Sequence, residues 1–299
     1  MTGYDQIARH VGERSEMPSV SVNGSTIVYE VMGEGPPLIL TPGGRFGKDV
    51  EGLRPLAEAL APSTTVILWD RPNTGASDLK FEGDSESQMA GDDLAGLLKA
   101  LDLGPAILAG GSAGSRVSLI AAMRHPEVVD KLVLWSLSGG RFGTMFLAMQ
   151  YLLPHMAEAW LGGMEAVTKL PDMQASIQAN PANESILLAI DRQRFVDTLM
   201  QWLSAYIPRD DQPVPGVDAA DIKTIGVPTL VFRNGDGDIY HPAETSLEVH
   251  GLIPGAVLVE PPWGRDGWFR TKQRVAAGEG GFFSNWHLLA PTILDFALS

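Results

Sequence analysis

Ala106-Ile107-Leu108-Ala109-Gly110-Gly111-Ser112-Ala113-Gly114-Ser115-Arg116-Val117 is the stretch from which the rest of the chain is read. It opens on a short apolar run of the kind a buried strand carries. Val117 to Met123 then continues as an apolar helix until Pro126 stops it. Between the two sits G-x-S-x-G, spelled Gly110-Gly111-Ser112-Ala113-Gly114. A serine on so tight a strand-to-helix turn is held in a strained conformation, and glycines two residues to either side leave room for the chain to double back. The turn lifts the hydroxyl clear of the sheet. It also leaves the backbone N–H of Ala113 at a helix N-terminus, where a developing negative charge can be received.

Outward from this elbow, strands and helices alternate. Ser19–Val22 and Thr26–Glu30 alternate at period two around Asn23-Gly24, which predicts a hairpin. Leu38–Leu40 and Thr65–Trp69 are apolar on both faces, as strands buried between two helical layers are. Ser87 to Leu101 has helical spacing, Lys131 to Leu137 is the next strand, and Thr229–Phe232 and Ala256–Glu260 are the last two. The pattern predicts an α/β fold with a mostly parallel sheet and helices on each side. Residues 138–209 break the rhythm with helical stretches near 142–160, 163–179 and 184–206, so the expected domains are a core over 1–137 and 210–299 and a helical cap over 138–209. The cap segment carries Phe146, Met149 and Trp160, candidates for lining an acyl pocket.

The chain's 299 residues are 44% hydrophobic, ample for one large domain or a domain with a cap. A net charge of −14 argues against nucleic acid as a partner and against anionic membranes. With no cysteine, disulfides, thiolate metal sites and a cysteine nucleophile are excluded. The first twenty residues are too polar for a signal-peptide core, and no apolar run is long enough to span a bilayer. A cytoplasmic protein acting on a small molecule, without metal or cofactor, is the expectation; the oligomeric state is left open.

Strand–GxSxG–helix followed by His125-Pro126-Glu127-Val128-Val129-Asp130-Lys131-Leu132-Val133-Leu134 resembles the α/β-hydrolase superfamily over roughly residues 18–299. The resemblance implies an α/β-hydrolase fold and a triad in the order serine, acid, histidine. Ser112 is then the nucleophile. Asp238, four residues before Pro242, fits the acid, with Asp236 as a turn residue able to take a left-handed backbone. His287, the one histidine after the last strand, fits the base, with His241 and His250 as its competitors. The oxyanion hole implied is the N–H pair of Ala113 and Gly44, the latter from the turn Thr41-Pro42-Gly43-Gly44. Arg45 beside it either meets a substrate carboxylate or carbonyl or is structural.

The Asp70–Ser77 turn is similar to the superfamily's bracing turn beside the site. The 261–286 segment departs from the superfamily, which reaches its histidine soon after the last strand; Trp263 within it is a candidate substrate contact, and the segment is expected to pack on the cap and narrow the entrance. The implied activity is hydrolysis of a small, largely apolar ester or lactone through an acyl-enzyme. A carbon–carbon bond hydrolase and a proline iminopeptidase, with Glu158, Glu165 or Glu184 as amine-holding carboxylates, are the rivals on the same triad. A ligand receptor or lyase is the rival without hydrolysis.

Overall fold

The computed structural model of the chain describes residues 17–299, so the arm expected before Met17 lies outside the described residues. In chain order the elements are β1 (Ser19–Val22), β2 (Ser25–Met32), β3 (Pro37–Thr41), α1 (Leu53–Leu60), β4 (Thr65–Trp69), α2 (Glu86–Leu101), β5 (Ala106–Gly111), α3 (Ala113–Arg124) and β6 (Val129–Trp135). Five helices follow: α4 (Arg141–Tyr151), α5 (Leu153–Val167), α6 (Pro171–Ala179), α7 (Ala182–Leu188) and α8 (Arg192–Ser204). The chain then runs through α9 (Ala219–Ile222), β7 (Thr229–Phe232), α10 (Ala243–Leu252), β8 (Val257–Val259), α11 (Gly267–Ala276) and α12 (Ala290–Ala297).

The eight strands form one sheet in the order β1-β2-β4-β3-β5-β6-β7-β8. The β1–β2 and β2–β4 pairs are antiparallel and every later pair is parallel. Asn23 and Gly24 both take positive φ (47° and 82°), which is what a two-residue hairpin turn with the twist of its strands requires. The sheet is buried on both faces. On one, Ile39, Leu108, Leu132 and Val231 pack with α2 and α3; on the other, Leu40, Ala109, Val133 and Phe232 pack with α1 and α12. Apolar residues at consecutive positions of each strand are explained by this two-sided covering.

Between β6 and β7 the three expected helical stretches are five helices. Pro154 and Pro171 each begin a new helix, because a proline lacks the N–H that a continuing helix would use and its ring fits the first turn. These helices share a core of their own, built on Leu152, Val167, Met173, Leu187, Phe195 and Trp202, that also takes in Leu79 and Phe81 from the loop after β4.

Candidate active site

Ser112 stands between β5 and α3 with φ 57° and ψ −120°, a conformation side chains rarely adopt and one that carries strain. The two flanking glycines are required by contact. A Cβ on Gly110 would lie 2.3 Å from the carbonyl oxygen of Gly114, and one on Gly114 would lie 2.0 Å from that of Thr41. β3 and α3 can therefore approach closely only because position 114 has no side chain.

Nε2 of His241 lies 2.8 Å from Oγ of Ser112. Its Nδ1 lies 2.8 Å from Oδ2 of Asp238. Aspartate and histidine are three residues apart on one loop, and the local geometry explains how they meet. Oδ1 of Asp238 accepts the backbone N–H groups of Tyr240 and His241 at 3.0 and 3.3 Å, curling the loop so that the ring folds back onto the carboxylate that caps it. Pro242 then sets the backbone that opens α10. Asn234 holds the loop from below: it donates to the carbonyls of Leu137 and Pro242, and its own carbonyl accepts the N–H of Leu137. Asn234 thus joins the ends of β6 and β7 to the base-bearing turn, a role that sequence reasoning missed.

His287 is elsewhere. It sits on a single 3-10 turn, Trp286–Leu289, is exposed, and its Nδ1 donates to the carbonyl of Ser284 at 2.9 Å. The expectation that His287 meets the serine is therefore corrected to His241. Aromatic residues of the 261–286 segment line the cavity beside Ser112 and His241. The spacing Asp238-x-x-His241 directly before a proline was the available signal.

Asp236 does not take the left-handed backbone expected of it; Gly237 does, with φ 75°. The Asp236 carboxylate pairs with Arg233 at 2.7 Å.

A cavity of about 70 Å³ opens on Ser112 and His241. Trp135, Trp263, Trp268, Phe282, Phe283 and Trp286 line it. Trp268 stacks on Phe282 with ring centroids 5.6 Å apart and meets Tyr240 edge-on at 6.3 Å. Trp263 lines the same cavity as Ser112. Phe146, Met149 and Trp160 do not: they are 39%, 57% and 63% exposed and line neither this cavity nor the smaller one described below. Phe146 meets the Tyr240 ring edge-on at 5.6 Å without reaching the cavity, while the buried faces of α4 and α5 close the helical block's own core. The apolar walls come instead from the 261–286 segment, which packs on the Asp238–His241 loop through Trp268 and Tyr240.

Gly44 has φ 50° and follows Gly43, where a Cβ would lie 2.9 Å from the Cβ of Ser112. Among the described residues no hydrogen bond uses the N–H of Gly44 or Ala113. Asp70, at the end of β4, accepts the N–H groups of Lys48 and Ala76 at 2.6 and 2.9 Å, bracing the two loops beside the site. Burial pushes its carboxyl up to about 6, against those two hydrogen bonds.

Arg45 is fully enclosed and does not face the aromatic cavity. It bonds Glu86 of α2 at 3.3 Å and Asp172 of α6 at 3.2 Å, and lies 3.2 Å from His155 of α5. Asp172 in turn lies 2.8 Å from His155. Burial alone would raise the Asp172 carboxyl, but the hydrogen bonds and charges of His155 and Arg45 hold it well below the usual carboxylate range.

Among the described residues no cluster of three histidine, aspartate or glutamate side chains offers a metal site, and no helix is long and apolar enough to cross a membrane.

A profile of the alpha/beta hydrolase fold matches residues 36–269, and the chain belongs to that family. RutD of Azorhizobium caulinodans is 29% identical over 253 residues, covering 83% of this chain and 91% of that one. The sn-1-specific diacylglycerol lipase ABHD11 of Mus musculus is 26% identical over 253 residues, covering 76% and 74%. The solved enol-lactonase of Burkholderia xenovorans LB400 superposes with a TM-score of 0.59 at 18% identity, over 94% of this chain and 100% of that one.

Proposed function

We propose that this protein is a serine hydrolase that cleaves a small, largely apolar ester or lactone through an acyl-enzyme. The observation that carries the reading is the unbroken hydrogen-bonded chain from Ser112 through His241 to Asp238. A serine hydroxyl attacks only when a base takes its proton, and an imidazole does so best when a carboxylate fixes its tautomer. With Asp238 accepting the proton on Nδ1, Nε2 of His241 is left to accept that of Ser112. The hydroxyl attacks the carbonyl carbon, the N–H groups of Gly44 and Ala113 receive the oxyanion, and His241 returns the proton to the departing alcohol. Water then repeats the sequence on the acyl-enzyme. Each oxyanion donor contributes on the order of 10²–10³ in rate.

The aromatic walls support an apolar group on the substrate, and the helical block over 138–209 acts as a lid. An ester or lactone also suits the company the chain keeps, since a lipase and an enol-lactonase are among its relatives. A peptidase that holds a free amine needs an uncommitted carboxylate at the site, and the acid lining the cavity, Asp238, is engaged by His241.

A fluorophosphonate probe with mass mapping tests the reading. Labelling is expected on Ser112 and is lost in Ser112→Ala and His241→Ala. Failure of the unaltered protein to label would favour a ligand receptor or lyase on the same fold.

A further inference from the structure

A second, smaller cavity lies on the oxyanion side of the serine, away from the aromatic one. Gly44 and Ala113 form its inner wall, and Arg45, Arg71 and Arg116 converge on it. Arg71 and Arg116 are buried, and the side chain of Arg45 is 5% exposed. Arg45 is balanced by Glu86 and Asp172. Neither Arg71 nor Arg116 has a carboxylate within ion-pair distance among the described residues, but Glu86, on the wall of the same cavity, acts on Arg71 at longer range. Arg71 donates to the carbonyl of Gly44, and Arg116 donates to the hydroxyls of Ser87 and Tyr206 at 2.6 and 2.8 Å. The Nε atoms of Arg45 and Arg71 are buried with no acceptor. Burial, with the charge of Arg116 nearby, pulls Arg71 down to about 10 even though Glu86 opposes it. A buried cation without a counter-charge costs several kcal/mol. Arg45, Arg71 and Arg116 thus face two carboxylates, Glu86 and Asp172, and the unbalanced cation on the wall of the cavity is accounted for when the cavity receives an anion.

We propose that this cavity is a carboxylate subsite, taking the anionic end of an acyl group whose carbonyl lies against the N–H groups of Gly44 and Ala113. The substrate class is accordingly a half-ester of a short dicarboxylic acid, or a lactone that carries a free carboxylate. The proposal rests on the serine-hydrolase reading above. Long-range steering does not favour such a substrate, since the chain carries a net charge of −14. Any preference for an anionic acyl group must therefore arise locally, from these guanidinium groups. Arg71 and Arg116 serve here as charge-assisted donors, the strongest kind of hydrogen bond a buried carboxylate can receive.

The test compares para-nitrophenyl hydrogen glutarate with para-nitrophenyl hexanoate, acyl chains of matched length that differ in ending on a carboxylate or a methyl group. The unaltered protein is expected to favour the glutarate ester by about tenfold or more in kcat/KM. In Arg116→Gln and in Arg71→Gln the ratio of the two is expected to fall toward one, whatever happens to absolute rates. Equal turnover of both esters by the unaltered protein, with Ser112 still labelled by fluorophosphonate, overturns the subsite and leaves the hydrolase standing.

Calorimetric titration of free glutarate into the unaltered protein decides the matter even where neither ester turns over: saturable binding lost in Arg116→Gln supports the subsite, and no binding refutes it. Chloride and inorganic phosphate, titrated in parallel, separate a substrate group from a resident inorganic ion. If they bind and glutarate does not, the assignment to substrate fails.

Discussion

The imidazole of His241 meets the hydroxyl of Ser112 at 2.8 Å, although 128 residues of chain, including the whole helical block, lie between them. The imidazole and the carboxylate bonded to it therefore share one four-residue turn, Asp238–His241, after β7, and the C-terminal segment brings no hydrogen bond to Ser112 among the described residues. What that segment supplies instead is the aromatic wall.

The two histidines predict opposite outcomes. His241→Ala is expected to lower kcat/KM on an activated ester by about 10²–10⁴-fold. His287→Ala, an exposed residue bonded to a local carbonyl, is expected to stay within about twofold. A steady-state comparison of the two variants checks this, and the reverse order would return the base to the C-terminal segment.

Asp238→Asn should lower kcat by roughly 10²–10⁴-fold while leaving the fold intact, because an amide no longer stabilises the imidazolium that forms. Asp236→Asn, which loses one exposed ion pair with Arg233, should leave the rate near that of the unaltered protein. Single-turnover kinetics with circular dichroism on both variants separates chemistry from folding.

Gly114→Ala is expected to destabilise the protein by several kcal/mol, since its Cβ would lie 2.0 Å from the carbonyl oxygen of Thr41. Backbone, unlike the tip of a flexible side chain, cannot swing away. Urea denaturation of this variant beside Gly251→Ala, where a Cβ meets nothing within 4 Å, is the control.

Acid should loosen the helical block. Asp172 titrates below its unfolded value, so the stability it contributes is present above about pH 4 and is lost as pH falls through its folded value. Asp172→Asn is expected to cost about 1–3 kcal/mol at neutral pH and to flatten the decline in Tm as pH falls below about 4. A decline as steep as in the unaltered protein would assign the acid sensitivity to other groups.

Trp268 and Phe282 are expected to govern which esters fit. Trp268→Ala should raise KM for an aryl ester more than for an acetate of a small alcohol, because it removes a wall of the cavity and leaves the Ser112–His241 contact in place. Unchanged selectivity in this variant and in Phe282→Ala would mean that substrates do not enter the aromatic cavity.

Several features were legible in the sequence because they are local or periodic. The elbow was one: the G-x-S-x-G spelling sits within five residues, with the demand for glycine at 110 set by Gly114 itself, and apolar runs on either side identify strand and helix. The order of strands and helices was another, since apolar residues at every position mark a strand covered on both faces. The helical block was legible as a block, but its five-helix division depended on weighing Pro154 and Pro171 as starts. Phe146, Met149 and Trp160 show the limit of composition. Large apolar side chains on a helix say that one face is apolar and do not say what that face meets.

The amino-acid sequence by itself determined the fold class and the strained serine, because the order of apolar runs and the glycines around Ser112 are written locally along the chain. The choice of His241 over His287 and the convergence of Arg45, Arg71 and Arg116 were decided only by the tertiary structure. The source of the aromatic wall was decided there too. Those relations join loops from different sheet ends, and their distances depend on how the elements pack. The two histidines have the same chemistry, the Asp238-x-x-His241 spacing is the one local difference between them, and only the packed structure puts the His241 ring 2.8 Å from Ser112.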